Sequence, residues 1–247
     1  MTESQPRQKQ LASETRGADD YNSKWEKSWA AGLPPGSGFD ASRSSPALLK
    51  LLRSNPEIAS GKSVLIPGCG RGYDLATFLQ AGARQAIGLE LSPTAASEAN
   101  AYLSSLPDFR EEGQCYFGLA NVHQGNFLAP LSQEVGCSLQ GGADVGFDYT
   151  FLCALQRDMH SMWAASWAAN IRPGGELVTL MFPVVERMTS SDVGAPWPLT
   201  LQRYSQLLLP EFELISMGKV PDGDSHPGRE GREWMGRWRR AAAAANP

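Results

Sequence analysis

The stretch of sequence that decides the fold is KSVLIPGCGRGYDLATFLQAGARQAIGLE, from Lys62 to Glu90. Ser63–Pro67 is a short apolar run, which is typical of a strand buried on both faces. Apolar residues at helical spacing predict a helix over Tyr73–Gln80. A second strand is predicted over Arg84–Leu89, and Glu90 ends it. The stretch therefore predicts strand, glycine-rich turn, helix and strand, which is the unit of a parallel α/β sheet.

Three glycines, Gly68, Gly70 and Gly72, connect the first strand to the helix. Glycine lets the backbone turn sharply and approach a ligand, because it has no Cβ. An acid about 20 residues beyond such a turn commonly holds a nucleotide ribose, which makes Glu90 the candidate. The alternative is a glycine turn in another kind of α/β protein, with Glu90 as a solvated strand end.

The residues within the glycine loop bear on the kind of nucleotide. A dinucleotide site normally carries G-x-G-x-x-G, which places a pyrophosphate at the helix N-terminus. Here the run is GCGRGYD, and Asp74 at the helix start would repel a pyrophosphate but suits an ammonium group. The loop therefore favours S-adenosylmethionine as the cofactor, since its amino-acid end is zwitterionic and its sulfur is positive. An NAD-dependent reductase remains an alternative on the fold alone.

Composition predicts one globular domain. The chain has 247 residues, of which 42% are hydrophobic and 19% are charged, and these are globular values. A net charge of −4 argues against nucleic acid or an anionic membrane as a partner. No apolar run approaches the ~18 residues of a membrane span. The polar residues 1–20 are predicted to be a disordered tail without a secretory signal, so we expect a cytoplasmic protein, as a monomer or weak homodimer.

The cysteines show no C-x-x-C pair and no spacing typical of metal ligands. No metal site is therefore predicted. Free thiols in a reducing compartment are the simplest interpretation. The four are Cys69, Cys115, Cys137 and Cys153.

The remaining chain alternates helix and strand signals. Ser-Pro pairs at 45–46 and 92–93 predict helix starts, because serine caps a helix and proline fits its first position. This order predicts one mostly parallel sheet with helices on both faces, closed by an antiparallel hairpin. The domain spans residues 21–240, and residues 241–247 form a tail. The further strands are predicted at 115–122, 144–152, 176–182, 211–220 and 229–240. The further helices are predicted at 21–31, 46–53, 94–105, 159–170 (capped by Asp158) and 200–208. Residues 131–143 are predicted to form a surface loop, and residues 172–175 a tight turn.

Two tryptophans near the start of the chain, Trp25 and Trp29, are four residues apart and share one helix face. An amphipathic helix docked on the core would use them as anchors. A lid over a ligand would use them as an aromatic wall, which suits a positive sulfonium through cation–π attraction. The residues alone leave both interpretations open.

Further candidates follow the third and fourth strands, because ligands bind at the carboxyl ends of parallel strands. Asn126 is placed to bond an adenine edge and Phe127 to pack on its face, although an ordinary turn with one buried aromatic fits as well. Asp148 lies within an apolar strand and is either a buried structural acid or a site acid. The long irregular stretch 183–198 is typical of a substrate-binding segment.

Several motifs together resemble a known family, the thiopurine methyltransferase superfamily, and within it the thiol/halide methyltransferases of the "harmless to ozone layer" type. The resemblance covers about residues 21–240. It rests on Trp25-x-x-x-Trp29, VLIPGCGRGYD at 64–74, GLELSP at 88–93, FDYTFLCAL at 147–155, RPGGELVTLMFP at 172–183 and a GREWMGRW-like ending.

This resemblance implies a seven-stranded class I methyltransferase-like Rossmann fold. It also implies methyl transfer from S-adenosylmethionine to a small soft nucleophile such as a thiol, bisulfide, thiocyanate or halide. An O- or N-methyltransferase of a larger metabolite is the alternative, and a regulatory cofactor-binding subunit without activity is another. Asp148 and Tyr149 are the candidates for positioning groups near the methyl. The cofactor contacts implied are Trp25, Trp29, Phe39, Gly68, Glu90, Asn126, Phe127 and Tyr149, to which the loop itself adds Gly70 and Asp74.

The sequence departs from the family pattern in one place. The family's Trp-Asp after the second tryptophan is Phe39-Asp40 here, behind the longer loop LPPGSG at 33–38. The shape of the lid, and with it the acceptor, is therefore expected to differ.

Overall fold

A computed structural model describes residues 23–106, 119–189 and 195–242. The predicted tail at 1–20, the first residues of the strand predicted at 115–122, and part of the loop at 183–198 lie outside the described residues. Most of the predicted C-terminal tail also lies outside them.

A seven-stranded mixed sheet organises the described chain, in the order β3-β2-β1-β4-β5-β7-β6. The first five strands are parallel, and β7 runs antiparallel to both β5 and β6. The predicted α/β class, with its mostly parallel sheet and antiparallel C-terminal hairpin, is confirmed. The strands are β1 Ser63–Pro67, β2 Gln85–Glu90, β3 Ala120–Gln124, β4 Ala143–Tyr149, β5 Ile171–Met181, β6 Phe212–Lys219 and β7 Trp234–Arg240.

Helices cover both faces of this sheet, as predicted. In β1, Val64 and Ile66 join one buried cluster and Leu65 joins the other, because successive side chains of a strand point to opposite faces. The first cluster also holds apolar residues of α2 to α4, and the second those of α5 to α7. The helices are α1 at 23–30, α2 Pro46–Ser54, α3 Tyr73–Gln80, α4 Pro93–Ser105, α5 Gln133–Leu139, α6 His160–Asn170 and α7 Leu201–Leu208.

The surface loop predicted at 131–143 is wrong, because α5 lies within it. Ser132 caps this helix by accepting a hydrogen bond from the Val135 backbone N–H. Val135 and Leu139 are four residues apart and buried, so they form an apolar stripe on a short helix. The polar and glycine-containing composition around this pair hid the helical period.

Two predicted boundaries around α6 also differ. Asp158 does not cap the helix: it lies exposed in a 3-10 turn, Arg157–Met159, and Met159 occupies the cap position. The tight turn predicted at 172–175 lies inside β5, where Ile171 pairs with Ala143. Pairing resumes between Glu176 and Val145, so the intervening residues form an irregularity in the ladder rather than a separate turn.

The strand order places a crevice above the centre of the sheet. From β1 the chain builds outward to β2 and β3 on one side, and returns with β4 on the other. Such a reversal opens a ligand crevice at the carboxyl ends of the two central strands. Gly68 follows β1 there, and Thr150 follows β4.

Candidate active site

A cavity of about 1580 Å³ lies at the carboxyl ends of these strands. It is larger than the ~300–1,000 Å³ of an ordinary small-molecule site, so it has room for a cofactor and an acceptor together. Eight of the predicted cofactor-site residues line it: Trp25, Trp29, Phe39, Gly68, Gly70, Glu90, Asn126 and Phe127.

The glycine loop forms the floor of this cavity. Gly68 and Gly70 have φ values of 57° and 52°, which L side chains rarely adopt. A Cβ on Gly68 would lie 2.5 Å from a ring carbon of Phe151. Glycine at 68 therefore serves both the turn and the close approach of the loop that follows β4.

Glu90 closes the glycine loop as well as facing the cavity. Its Oε2 accepts a hydrogen bond from the Gly70 backbone N–H at 3.0 Å, and its Oε1 accepts from the N–H groups of Leu91 and Ser92 at 2.8 and 3.2 Å. Burial raises the pKa of this carboxyl, and the backbone donors oppose that shift. A carboxylate has about four acceptor positions, so Glu90 can still accept a ribose hydroxyl.

Helix α1 forms one wall of the cavity. Trp29 is 2% exposed, and Phe39 packs edge-on against both Trp25 and Trp29, with ring centroids 5.3 and 5.7 Å apart. Both tryptophans also line the cavity, so the helix is docked on the domain and faces the ligand space. The two interpretations of this helix are thus compatible.

The longer loop after α1 is held by an ion pair. The Arg71 Nε donates to Oδ2 of Asp40 at 2.9 Å, and the side chains are only 12% and 2% exposed. Arg71 also pairs with Glu98 and lies over the Trp29 ring at 5.3 Å. The glycine loop thereby fixes Asp40, and with it Phe39, at the cavity wall.

Asn126 and Phe127 line the cavity just after β3. The Asn126 Oδ1 accepts a hydrogen bond from the Leu128 N–H at 2.9 Å, so its amide nitrogen is the group left to meet an adenine edge. Phe127 is buried and packs against Phe151 and Trp167 at 5.8 and 4.7 Å between ring centroids. Its position supports the predicted packing surface and shows that it is also a core residue.

Asp74 does not line the cavity. Its carboxylate accepts a hydrogen bond from the Ser44 hydroxyl at 2.5 Å, which ties α3 to the start of α2. Burial raises its pKa to about 6. Asp74 thus has a protein partner in this structure, and its contact with a cofactor ammonium stays a prediction.

Asp148 and Tyr149 likewise lie beneath the cavity rather than in its lining. The indole N–H of Trp163 donates to Asp148 Oδ2 at 2.7 Å, so Asp148 is a buried structural acid that joins β4 to α6. The phenol of Tyr149 donates to Glu233 at 2.5 Å and accepts from Arg229 at 2.6 Å. Both side chains are bonded to protein groups in this structure, and their role near the methyl stays a prediction.

Sequence reasoning missed four residues that line the end of the cavity beyond the glycine loop: Arg43, Phe182, His226 and Arg229. Arg229 lies over the Phe182 ring at 4.8 Å. Burial and the positive charges of Arg229 and Arg43 together lower the pKa of His226 to about 4, so both guanidinium groups lie near this imidazole. The four come from three distant segments, and no local pattern joins them.

Thr150 was also missed. It lines the cavity directly after β4 with φ 58°, which is unusual for a β-branched residue. Such strain concentrates at functional sites. Its hydroxyl donates to the Tyr149 carbonyl at 2.6 Å, which helps to hold the turn that brings Phe151 over Gly68.

Comparison with known proteins decides the family. The model of the thiopurine S-methyltransferase (TPMT) family matches residues 21–238. The chain belongs to the thiopurine S-methyltransferase family. The predicted superfamily and the predicted methyltransferase activity are confirmed, and so is S-adenosylmethionine as the cofactor.

Relatives of this TPMT family member span almost the same length. Probable thiol methyltransferase 2 of Arabidopsis thaliana is 32% identical over 220 residues, which are 88% of this chain and 85% of the relative. Thiocyanate methyltransferase 1 of Brassica oleracea is 30% identical over 217 residues, or 87% and 84% of the two chains. A solved 1,6-didemethyltoxoflavin-N1-methyltransferase of Burkholderia thailandensis has a TM-score of 0.62 at 18% identity, covering 92% of this chain and 90% of its own; this likeness shows the fold.

The lining of the TPMT-family site fits this cofactor. The glycine loop leaves an open floor, the Glu90 carboxylate has acceptor capacity for a ribose, and aromatic rings stand opposite. Among the described residues there is no group of three or more His, Cys, Asp or Glu placed to hold a metal ion. No helix in the described parts of the chain has both the length and the apolarity to cross a membrane.

Proposed function

We propose that this methyltransferase acts on a small soft nucleophile: a thiol, bisulfide, thiocyanate or halide. The observation that carries the proposal is the charge of the acceptor end of the cavity. Arg43 and Arg229 both line it, and neither forms an ion pair with a carboxylate among the described residues. An anionic nucleophile matches this end, and the thiol and thiocyanate methyltransferases among the relatives support the same class.

The acidic side chains that line the described cavity are either bonded to other protein groups or exposed. Asp40 pairs with Arg71, Glu90 receives three backbone hydrogen bonds, and Asp158 is exposed. None is therefore a free general base beside the two guanidinium groups. A thiolate, thiocyanate or halide is a nucleophile without losing a proton, so such a base is not required.

The chain's own residues then supply binding, alignment and exclusion of water. Glu90 and the glycine loop would hold S-adenosylmethionine, which would supply a methyl group on a positive sulfur for in-line displacement. Trp25, Trp29 and Phe39 cover the cofactor end of the cavity and keep water out. Arg229 holds the anion at the acceptor end. Holding two reactants in line accounts for a large part of the rate of such a reaction.

Cys153 is not proposed as a nucleophile, although it lines the cavity. Burial raises the pKa of its thiol, so it stays protonated, and only a thiolate is strongly nucleophilic. The methyl group is therefore proposed to pass directly to the acceptor. No covalent intermediate on the protein is needed.

A second candidate is methylation of oxygen or nitrogen on a larger metabolite, and the size of the cavity favours it. The test is a panel of acceptors with S-adenosylmethionine, in which release of S-adenosylhomocysteine is followed. We expect turnover of thiocyanate, iodide, bisulfide and simple thiols, and little turnover of phenols and amines. The reverse pattern would establish the second candidate.

Charge at the acceptor end is tested by Arg229→Gln. This variant is expected to lose tenfold or more in kcat/KM for thiocyanate, because a hydrogen-bonded charge is removed from the anion. Arg53→Gln is the matched control, since Arg53 is exposed at the end of α2 and far from the cavity lining. Equal losses in both variants would argue against an anion at this end.

A further inference from the structure

We propose that Tyr149 and Glu233 are positioning residues: they orient Arg229 toward the acceptor and thereby control the binding of anionic acceptors. The inference rests on the proposed function, because it assumes that Arg229 meets the acceptor. It assigns to Tyr149 a role different from the direct contact that the sequence predicts, and it brings in Glu233, which the sequence does not single out.

The three side chains form a continuous chain of hydrogen bonds. Arg229 Nη1 donates to the Tyr149 oxygen at 2.6 Å, and the Tyr149 hydroxyl donates to Glu233 Oε1 at 2.5 Å. Burial raises the pKa of Tyr149, so its phenol keeps the proton that it donates to Glu233. Because that proton points to Glu233, a lone pair of the phenol oxygen is left to face Arg229.

Glu233 has an unusual setting for a carboxyl. It is 0% exposed, and its Oε2 has no hydrogen-bond partner among the described residues. By contrast, the carboxylate of Glu176, in β5, accepts two hydrogen bonds from Arg237, at 2.6 and 3.1 Å. A buried carboxyl with one neutral partner is costly for the fold, so its presence just before β7 indicates a role other than stability.

Arg229 is the member of the chain that reaches the cavity. It lines the cavity, whereas Tyr149 and Glu233 do not. Its guanidinium lies 5.0 Å from the Tyr149 ring centre and 4.8 Å from that of Phe182. A guanidinium has five N–H donors, so the bond to Tyr149 leaves donors for an anion.

Arg229 also lies in the irregular segment between β6 and β7, where a long side chain would otherwise sample many rotamers. Tyr149, to which Arg229 is bonded, stacks on the ring of His226 with an interplanar angle of 6° between the two rings, and His226 is 3% exposed. Tyr149 is thus clamped on its face by His226 and at its oxygen by Glu233. A clamped phenol gives Arg229 one orientation before the acceptor arrives.

The test uses the full chain saturated with S-adenosylhomocysteine and ¹³C-labelled thiocyanate as the probe, whose binding is followed by NMR line width. Tyr149→Phe and Glu233→Ala are expected to weaken thiocyanate binding about tenfold. Glu233→Gln is expected to stay within about threefold of the wild type, because its amide oxygen still accepts from Tyr149. Tyr102→Phe and Glu176→Gln are the matched controls, since Tyr102 packs on Tyr73 and Glu176 pairs with Arg237 rather than with the Arg229 chain.

Two further measurements distinguish the positioning role of Tyr149 and Glu233 from a merely structural role. In the positioning role, affinity for S-adenosylhomocysteine stays within about twofold, and KM for thiocyanate rises while kcat is held. Unchanged thiocyanate binding in Tyr149→Phe and Glu233→Ala, or equal loss of both ligands, would overturn the inference. If thiocyanate binds in a Tyr149-dependent way but neither it nor the other soft nucleophiles is methylated, the inference stands and the proposed function fails.

Discussion

The Glu26 carboxylate accepts a hydrogen bond from the Ser92 hydroxyl at 2.6 Å, and Ser92 is also the cap of α4. Glu26 receives a second bond of 2.6 Å from the Thr94 hydroxyl. Helix α1 is therefore anchored at the first turn of the helix that follows Glu90. An acid at a helix N-terminus is favoured by the free N–H groups and the dipole there. Glu26 therefore joins the helix that carries Trp25 and Trp29 to the segment directly after Glu90.

Glu26→Ala is expected to loosen α1 and raise the Kd for S-adenosylmethionine several-fold, because Trp25 and Trp29 would lose their anchor. Titration calorimetry measures the Kd. Lys27→Ala is the matched control, since Lys27 is the exposed neighbour in the same helix. The hydrogen bonds to Ser92 and Thr94 lower the pKa of Glu26, so this anchor is present above the ordinary carboxyl pKa and weakens as pH falls through the lowered one. Equal Kd values for Glu26→Ala and wild type would refute the anchor.

Glu90→Ala is expected to weaken S-adenosylmethionine binding tenfold or more, because a hydrogen bond to a charged acceptor is lost. The loss includes the ribose contact and the bond that closes the loop at Gly70. Calorimetry gives the affinity, and Glu57→Gln, an exposed acid near α2, is the control. Unchanged affinity in Glu90→Ala would remove the ribose assignment.

Asp40→Asn is expected to destabilise the fold by about 3 kcal/mol, because Arg71 would remain largely buried without its full partner. For a chain of this size that corresponds to a fall in Tm of roughly 6–12 °C. Thermal unfolding followed by circular dichroism measures it. Asp224→Asn is a suitable control, since its pair with Lys50 is solvent-exposed and such pairs contribute little. Similar Tm shifts in both variants would contradict the interpretation.

Asp148→Asn is expected to change how stability depends on pH. Burial raises the pKa of Asp148 from 3.8 to about 6, so the folded state holds a proton that the unfolded state releases between these values. Its contribution to stability is therefore present at low pH and is lost as pH rises through about 6. Asparagine keeps an acceptor for Trp163 without the charge, so the variant gains stability relative to wild type, on the order of 2 kcal/mol, between pH 4 and 7.

Urea unfolding at several pH values measures this difference. Asp222→Asn is the control, since Asp222 is exposed. A constant difference between Asp148→Asn and wild type across the range would show that Asp148 does not titrate as described.

The cofactor end of the site could be predicted from the sequence because its signals are local. Gly68, Gly70 and Glu90 belong to one strand-turn-helix-strand unit, and the tertiary fold preserves that order. The hydrogen-bond partner of Asp74 could not be predicted in the same way. Its place at a helix start was correct, but the side chain turns to Ser44 of a preceding segment, and no spacing within the motif shows that.

The cationic end of the cavity could not be predicted in the same way. Arg43, Phe182, His226 and Arg229 are far apart in the chain and meet only because β5 and β7 are neighbours in the sheet and the loop after α1 packs beside them. A pattern of glycines and apolar residues carries no information about such meetings. The hydrogen-bond partners of Asp148 and Tyr149 could not be predicted for the same reason, since they come from α6 and from the segment before β7.

By itself the sequence determined the α/β class, the mostly parallel sheet, the glycine loop with Glu90, the family and its cofactor. The class, the sheet and the loop follow from periodicity and short-range spacing, which act over a few turns of backbone, whereas the family follows from the resemblance of its motifs. Only the tertiary structure decided which end of the cavity is cationic, that Asp74 bonds to Ser44 and Asp148 to Trp163, and that Glu233 reaches Arg229 through Tyr149. Those relationships depend on strand order and burial, which bring distant charges together in a medium where each one needs a partner.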